Sequence, residues 1–99
     1  MIKLFALYKK PDDVDAFMRH YENVHMPLVE KIPGLEKSVV NRVTGAPMGG
    51  EPDYFIITEM QFPDQATFEK AMASPENRAV GKDAMEFAGD LITVMTAKA

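Results

Sequence analysis

The residues best suited to chemistry lie close together in the first third of the chain. His20 and His25 are its only histidines, and Tyr21 stands between them, one helical turn before His25. An imidazole titrates near neutral pH and a phenol can donate or accept a hydrogen bond, so together they could move a proton of a bound molecule. His25 and Tyr21 are therefore the candidate catalytic residues.

A helix is predicted to carry these residues, because apolar side chains recur with helical spacing over residues 12–31. His25 and Tyr21 lie near the middle of its apolar stripe, whereas His20 lies to one side, nearer to solvent. The stripe comprises Val14, Phe17, Met18, Tyr21, His25, Leu28 and Ile32. Two interpretations of His25 stay open: a core histidine that bonds a strand carbonyl or side chain, and an imidazole that faces a ligand pocket.

Pro27 predicts a local irregularity in this helix. A proline has no N–H to donate to the carbonyl of Asn23, and its ring crowds the preceding turn, so we expect a kink just after His25. A kink beside a buried histidine can open space between the helix and the sheet. The eight methionines of the chain could either fill that space or line an adaptable apolar pocket.

Several kinds of site are excluded by residue type or spacing. The chain has no cysteine, which removes disulfides, thiolate metal sites and cysteine nucleophiles. His20 and His25 are five residues apart and would point from different faces of an α-helix, so no metal site is predicted. Gly45, Gly49 and Gly50 lie in a predicted hairpin loop with no helix after it, which does not suit a phosphate cradle. No cofactor is predicted.

Length and charge narrow the choice of partners. The 99 residues fit one domain, residues 1–99, and the net charge of −4 argues against nucleic acid binding, which normally needs a basic surface. No apolar run approaches the roughly 20 residues that cross a bilayer, and the N-terminus lacks the pattern of a signal peptide. We therefore expect a cytoplasmic protein with no nucleic acid partner and no membrane partner.

The predicted elements follow the order β-α-β-β-α-β, the ferredoxin-like arrangement, which is an α+β fold. In this arrangement a four-stranded antiparallel sheet carries the helices on one face. The predicted strands cover residues 2–9, 35–44, 53–62 and 90–98, and the predicted helices cover 12–31, 64–73 and 76–88. Asp64 is the expected N-cap of the second helix, and Ser74-Pro75 separates that helix from the third.

The first and third strands carry apolar residues on both faces. One face comprises Ile2, Leu4, Ala6, Tyr8, Tyr54, Ile56, Met60 and Phe62, and the other comprises Phe5, Leu7, Phe55 and Ile57. A half-exposed antiparallel strand should alternate apolar with polar residues, and the helices can cover only one face. The face that the helices leave open is expected to pack against another copy of the chain, which predicts a homodimer, and the pattern leaves open which of the two faces this is. The alternative is a few scattered apolar surface residues, which are common.

A set of short motifs runs along the whole chain. An aromatic residue precedes His-Tyr, then His-x-Pro-Leu, then Pro-Gly-Leu at the start of the second strand. These are Phe17, His20-Tyr21, His25-Met26-Pro27-Leu28 and Pro33-Gly34-Leu35. In the same order follow Val40-Asn41-Arg42-Val43, Ile57-Thr58-Glu59 and Ala73-Ser74-Pro75-Glu76. This pattern resembles the EthD family of the dimeric α+β barrel superfamily.

The resemblance implies a dimeric α+β barrel, in which two ferredoxin-like sheets close face to face with the helices outside. The family is named for a protein needed for ethyl tert-butyl ether degradation. Superfamily relatives include methylmuconolactone isomerases, aromatic polyketide cyclases, cofactor-free quinone-forming monooxygenases and haem-degrading enzymes. In the lactone isomerases a histidine that matches His25 is a proposed acid or base. The cyclase histidine after the second helix has no counterpart in Ser74-Pro75-Glu76-Asn77, which weakens a cyclase function.

Three hypotheses for the function follow. The first is a cofactor-free isomerase, lyase or monooxygenase for a small apolar, cyclic or aromatic compound, in which His25 moves a proton and Tyr21 orients the substrate or stabilises an oxyanion. The residues expected to line the apolar wall are Phe5, Leu7, Phe17, Met18 and Leu28. The second hypothesis is a non-catalytic binding or accessory protein of a degradation pathway. The third is a dimeric structural module, against which a cavity beside His25 would argue.

Overall fold

The computed structural model describes residues 1–99, which form one four-stranded sheet with helices packed on one face. The strands are β1 (Ile2–Tyr8), β2 (Lys37–Arg42), β3 (Ile56–Phe62) and β4 (Ile92–Lys98). They lie in the order β2-β3-β1-β4, and every neighbouring pair is antiparallel. The ferredoxin-like fold predicted from the sequence is therefore confirmed, with strands shorter than predicted by a few terminal residues.

The helices are α1 (Val14–His20), a π-helical turn (Tyr21–His25), α2 (Met26–Val29), α3 (Gln65–Met72) and α4 (Pro75–Ala88). The first three follow one another without a break and form a single helical stretch. Asp13, Asp64 and Ser74 cap α1, α3 and α4, because each side chain accepts a hydrogen bond from the backbone N–H three residues further on. None of these helices has both the length and the apolar character needed to cross a membrane.

A π turn, Tyr21–His25, directly precedes the segment that contains Pro27. The backbone N–H of Met26 donates to the carbonyl of Tyr21, five residues back, and Pro27 then falls in the first turn of α2. Because the helical stretch is continuous, Pro27, which has no N–H, leaves one carbonyl of the preceding turn without its usual backbone donor.

The π turn also changes which residues face the sheet. A π turn holds more residues than an α turn, because its hydrogen bonds span five residues instead of four. The buried positions accordingly fall at regular intervals of four, at Phe17, Tyr21, His25 and Val29. Leu28, which the α-helical stripe placed inward, is only half-buried.

The two faces of β1 have different surroundings. Side chains alternate along a strand, so Ile2, Ala6 and Tyr8 turn toward the helices and are buried. Phe5 and Leu7 turn to the outer face, where they are half-buried with no helix above them. The strand thus has the two apolar faces that its sequence pattern predicted, and the core lies on the inner one.

Candidate functional site

His25 lies at the end of the π turn, and its side chain is 4% exposed. Its Nδ1 is 3.0 Å from Oδ2 of Asp83 on α4, and its Nε2 is 3.3 Å from the hydroxyl oxygen of Tyr8 at the end of β1. An ionised carboxylate can only accept hydrogen bonds, so Nδ1 carries the proton and donates to Asp83. Nε2 is then the acceptor, and the Tyr8 hydroxyl donates to it.

Asp83 also holds the second histidine. Nε2 of His20 is 2.8 Å from Oδ1 and 3.0 Å from Oδ2 of Asp83, and the His20 side chain is 34% exposed. Five residues of an α-helix would turn the two rings about 140° apart. The prediction that they point from different faces is wrong, because the π turn between them brings both rings to one carboxylate. No group of three histidine, aspartate or glutamate side chains is arranged to hold a metal ion.

Tyr21 lies beside His25 but forms its hydrogen bond elsewhere. Its hydroxyl is bonded to the hydroxyl of Thr58 on β3, and its ring stacks on that of His25 with 5.7 Å between the centroids. Tyr8, and not Tyr21, is therefore the hydroxyl partner of the His25 imidazole. Tyr8 is 17 residues from His25 in sequence, so helical spacing alone could not reveal this contact.

Burial determines the protonation of the three rings. It lowers the pKa of His25 below the ordinary value of 6.5, although the hydrogen bond and the charge of Asp83 oppose this. Burial raises the pKa of Tyr8, with further contributions from Tyr21 and Asp83, and it also raises the pKa of Tyr21. Near pH 7, His25 is therefore neutral with Nε2 able to accept a proton, and both phenols keep theirs.

A cavity of about 210 Å³ lies between the sheet and the helices, against these side chains. Four of its lining residues form what we call the polar wall: Tyr8, Tyr21, His25 and Thr58. Most of the remaining lining is apolar. A cavity of about 150 Å³ can hold benzene, so this space accommodates a six-membered ring with a few additional atoms.

The placement of Phe5 and Leu7 corrects one expectation. Both were predicted to line the apolar wall, but they lie on the outer face of β1 and do not contact the cavity. Their neighbours Leu4, Ala6 and Tyr8 line it instead, because successive residues of a strand turn to opposite faces.

The helical residues predicted to line the cavity also lie elsewhere. Phe17 is buried in the aromatic core, and Met18 packs against the same core without reaching the cavity. Leu28 is absent from the lining, whereas Met26 and Val29 belong to it. The physical reason for the last difference is the π turn, which advances the inward-facing position by one residue.

Sequence comparison gives the family of the chain. The sequence model of the EthD domain matches residues 9–90. The chain belongs to the EthD family. The resemblance predicted from the motifs around His25 is confirmed, and the matched range includes His20, His25 and Asp83 of the site.

The relatives of this EthD chain include proteins of known structure. An EthD family protein of Bacillus halodurans is 46% identical, with a TM-score of 0.95 over 100% of this chain and 98% of that chain. An uncharacterized 11.0 kDa protein of Rhodococcus erythropolis, in the thcB-thcC intergenic region, is 28% identical over 95 residues, which are 96% of this chain and 91% of the relative. A dimeric ferredoxin-like protein of unknown function from Thermobifida fusca shares the fold, with a TM-score of 0.72, 17% identity and coverage of 99% and 90%.

Sequence reasoning missed two residues of the candidate site, Tyr8 and Asp83. Tyr8 was assigned to the strand face opposite to Phe5 and Leu7, and it was given no part in the site. Asp83 carried a usable signal, since it follows Val80 by three residues and precedes Phe87 by four. Both neighbours pack against the core, so a carboxylate on this face of a helix needs a buried partner such as a histidine.

Proposed function

We propose that this EthD chain binds a small, mostly apolar ring with one oxygen atom and transfers a proton to or from it. The observation that carries the proposal is the chain of hydrogen bonds from Asp83 through His25 to Tyr8 at the wall of a cavity of about 210 Å³. The order of carboxylate, imidazole and hydroxyl is suited to activating the hydroxyl for proton transfer. The apolar lining favours a carbon ring, and the polar wall favours an oxygen on it.

The proposed step balances with the groups present. As the Tyr8 oxygen takes a proton from the ligand, the Tyr8 hydroxyl proton moves to Nε2 of His25. Asp83 accepts the Nδ1–H hydrogen bond and stabilises the imidazolium that results. Returning the proton to another atom of the ligand gives an isomerisation and restores the starting state. Because burial raises the pKa of Tyr8, a resting tyrosinate is disfavoured, and the two protons move together.

A second candidate is a binding protein without turnover, which serves as an accessory protein of a degradation pathway. The observation that favours it is the saturation of His25, since both ring nitrogens already have protein partners. In that case the hydrogen bonds fix the shape of the polar wall, and the cavity only holds its ligand. Proton exchange and binding must therefore be measured separately.

Cyclohexanone in D₂O is a suitable probe, because removal of its α-proton is followed by deuterium uptake that NMR detects. We expect the wild-type protein to accelerate the exchange above the buffer rate. Tyr8→Phe and His25→Gln should lose the acceleration, since each interrupts the relay. Tyr54→Phe is the matched control, because the third tyrosine does not line the cavity, and it should retain the wild-type rate.

Phenol binding, followed by NMR titration, separates the two candidates. Phenol binding together with accelerated exchange supports the enzyme. Binding of both probes without acceleration supports the binding protein. No saturable binding of either probe would overturn both candidates.

We also propose that the chain forms a homodimer through the outer face of its sheet, which would close into an α+β barrel. Phe5 and Leu7 have no cover on this face, and Met95 of β4, which pairs with Phe5, is 49% exposed. The Thermobifida fusca relative is described as dimeric. One end of the face is polar, because Lys3 pairs with Glu59 at 3.2 Å.

Sedimentation velocity tests this assembly. The wild-type protein should sediment at twice the chain mass of 11.1 kDa, and Leu7→Lys should give the single-chain mass because it places a charge in the apolar contact. Val24→Lys on the π turn, where the side chain is 43% exposed, is the control and should leave the mass unchanged. A single-chain mass for the wild type at micromolar concentration would contradict the homodimer.

A further inference from the structure

The lining of the cavity differs in its exposure to solvent. Of its 16 lining residues, only Gly81 of α4 and Val94 of β4 are exposed, and the others are buried or half-buried. β4 is an edge strand of the sheet, and Val94 is 53% exposed. We call Gly81 and Val94 the mouth of the cavity, because they are the most exposed residues of its lining.

Neither the backbone conformation nor a lack of space requires a glycine at position 81. It occupies the seventh position of the 14-residue helix α4, where a glycine lowers helix stability relative to alanine. Its φ is not positive, and a Cβ added to it would meet no heavy atom within 4 Å. Gly89 differs, since a Cβ there would lie 2.7 Å from the carbonyl oxygen of Met85. The chain itself thus has room for a side chain at Gly81.

We propose that Gly81 keeps the mouth open, so that small apolar ring compounds enter the cavity between α4 and β4. This inference rests on the proposed function, because it requires a ligand in the cavity. A side chain at Gly81 would begin at the rim of the opening and extend across it. The absence of a side chain then sets the size of molecule that can pass, which makes Gly81 a specificity-determining residue that never touches the polar wall.

The test compares two substitutions at Gly81 with a matched one nearby. Gly81→Ala should raise the melting temperature by about 4–8 °C, because alanine is the better helix former and has open space there. Gly81→Leu should fold as well and should slow the association of phenol about tenfold or more, a change within the range seen among variants of one site. Ala79→Leu adds the same side chain to an exposed position of α4 outside the cavity and should leave the association rate unchanged.

Association rates are measured by stopped-flow competition or by NMR exchange with phenol as the probe, and folding is checked by the melting temperature. If Gly81→Leu binds phenol in the cavity at the wild-type association rate, ligands do not enter beside Gly81. The inference would then be overturned, whereas the proposed function would be unaffected. Failure of both phenol and cyclohexanone to bind the wild type would overturn the proposed function and, with it, this inference. A change of sedimenting mass in Gly81→Leu, without slower association, would show that Gly81 serves a contact between chains and would also overturn the inference.

Discussion

The polar wall and the mouth of the cavity are built in opposite ways. At the polar wall every buried polar side-chain atom has a partner, and the hydrogen bonds join β1, the π turn, β3 and α4. At the mouth one residue has no side chain and the other is more than half exposed. Substitutions at the polar wall should therefore lower the stability of the fold, because they break hydrogen bonds, whereas substitutions at the mouth remove few contacts.

The largest expected effect is at Asp83, behind the polar wall. Asp83→Ala removes the acceptor for both histidines and leaves the Nδ1–H of buried His25 without a partner. We expect the free energy of unfolding to fall by about 3 kcal/mol, since charge-assisted hydrogen bonds and orphaned buried donors each account for about 1–3 kcal/mol. Urea unfolding measures this. The loss should appear even though alanine is the better helix former.

Glu86→Ala is the control for Asp83→Ala, because Glu86 is an exposed acidic residue of the same helix. It should change the free energy of unfolding by less than about 0.5 kcal/mol. If both substitutions lower the free energy of unfolding equally, the contacts of the polar wall stabilise the fold no more than those of the surface. The proposed difference between the polar wall and the mouth would then be wrong.

The second expected effect is on the pH dependence of stability. Burial lowers the pKa of His25 in the folded state, so the unfolded chain, with a pKa of about 6.5, takes up the proton first as the pH falls. Stability should therefore decrease below about pH 6.5, by at most about 1.4 kcal/mol per pH unit for this one proton. The decrease should stop below the folded-state pKa.

His25→Gln should remove this component of the pH dependence. The measurement is the free energy of urea unfolding between pH 7.5 and pH 5, whose slope against pH should fall by the equivalent of at most about one proton. The groups that face His25 are Asp83, Tyr8, Tyr21 and His20. His20→Gln, made alone and together with His25→Gln, is the control, because His20 shares the Asp83 carboxylate with His25. An unchanged slope in His25→Gln would show that the buried ring does not carry the effect.

Much of the fold could be predicted because its signals are local. The alternation along β1 indicated two apolar faces and Asp64 indicated the start of α3, and the structure confirms both. Phe55, predicted to share the outer face with Ile57, packs against Phe17 in the core instead. The order of the elements then led to one known arrangement. None of these inferences requires knowledge of how distant segments meet.

The candidate site could be predicted only in part, because its geometry is not local. His25 and Tyr21 were found from helical spacing, but Tyr8 and Asp83 come from segments 17 and 58 residues away from His25. The π turn has no signature in a 3.6-residue period, although Pro27 indicated that the regular pattern ends there. The π turn explains both the inward position of Val29 and the convergence of His20 and His25 on Asp83.

The smallest expected effect is at the mouth. Val94→Thr keeps the branched shape of the side chain and adds a hydroxyl at a position 53% exposed, where water can bond it. The free energy of unfolding should change by less than about 0.5 kcal/mol. Val29→Thr is the comparison inside the same cavity, because Val29 is 2% exposed and the new hydroxyl would have to be buried, at a cost of about 1–3 kcal/mol. Equal losses would mean that Val94 is packed as firmly as Val29, and the opening would then have to lie elsewhere.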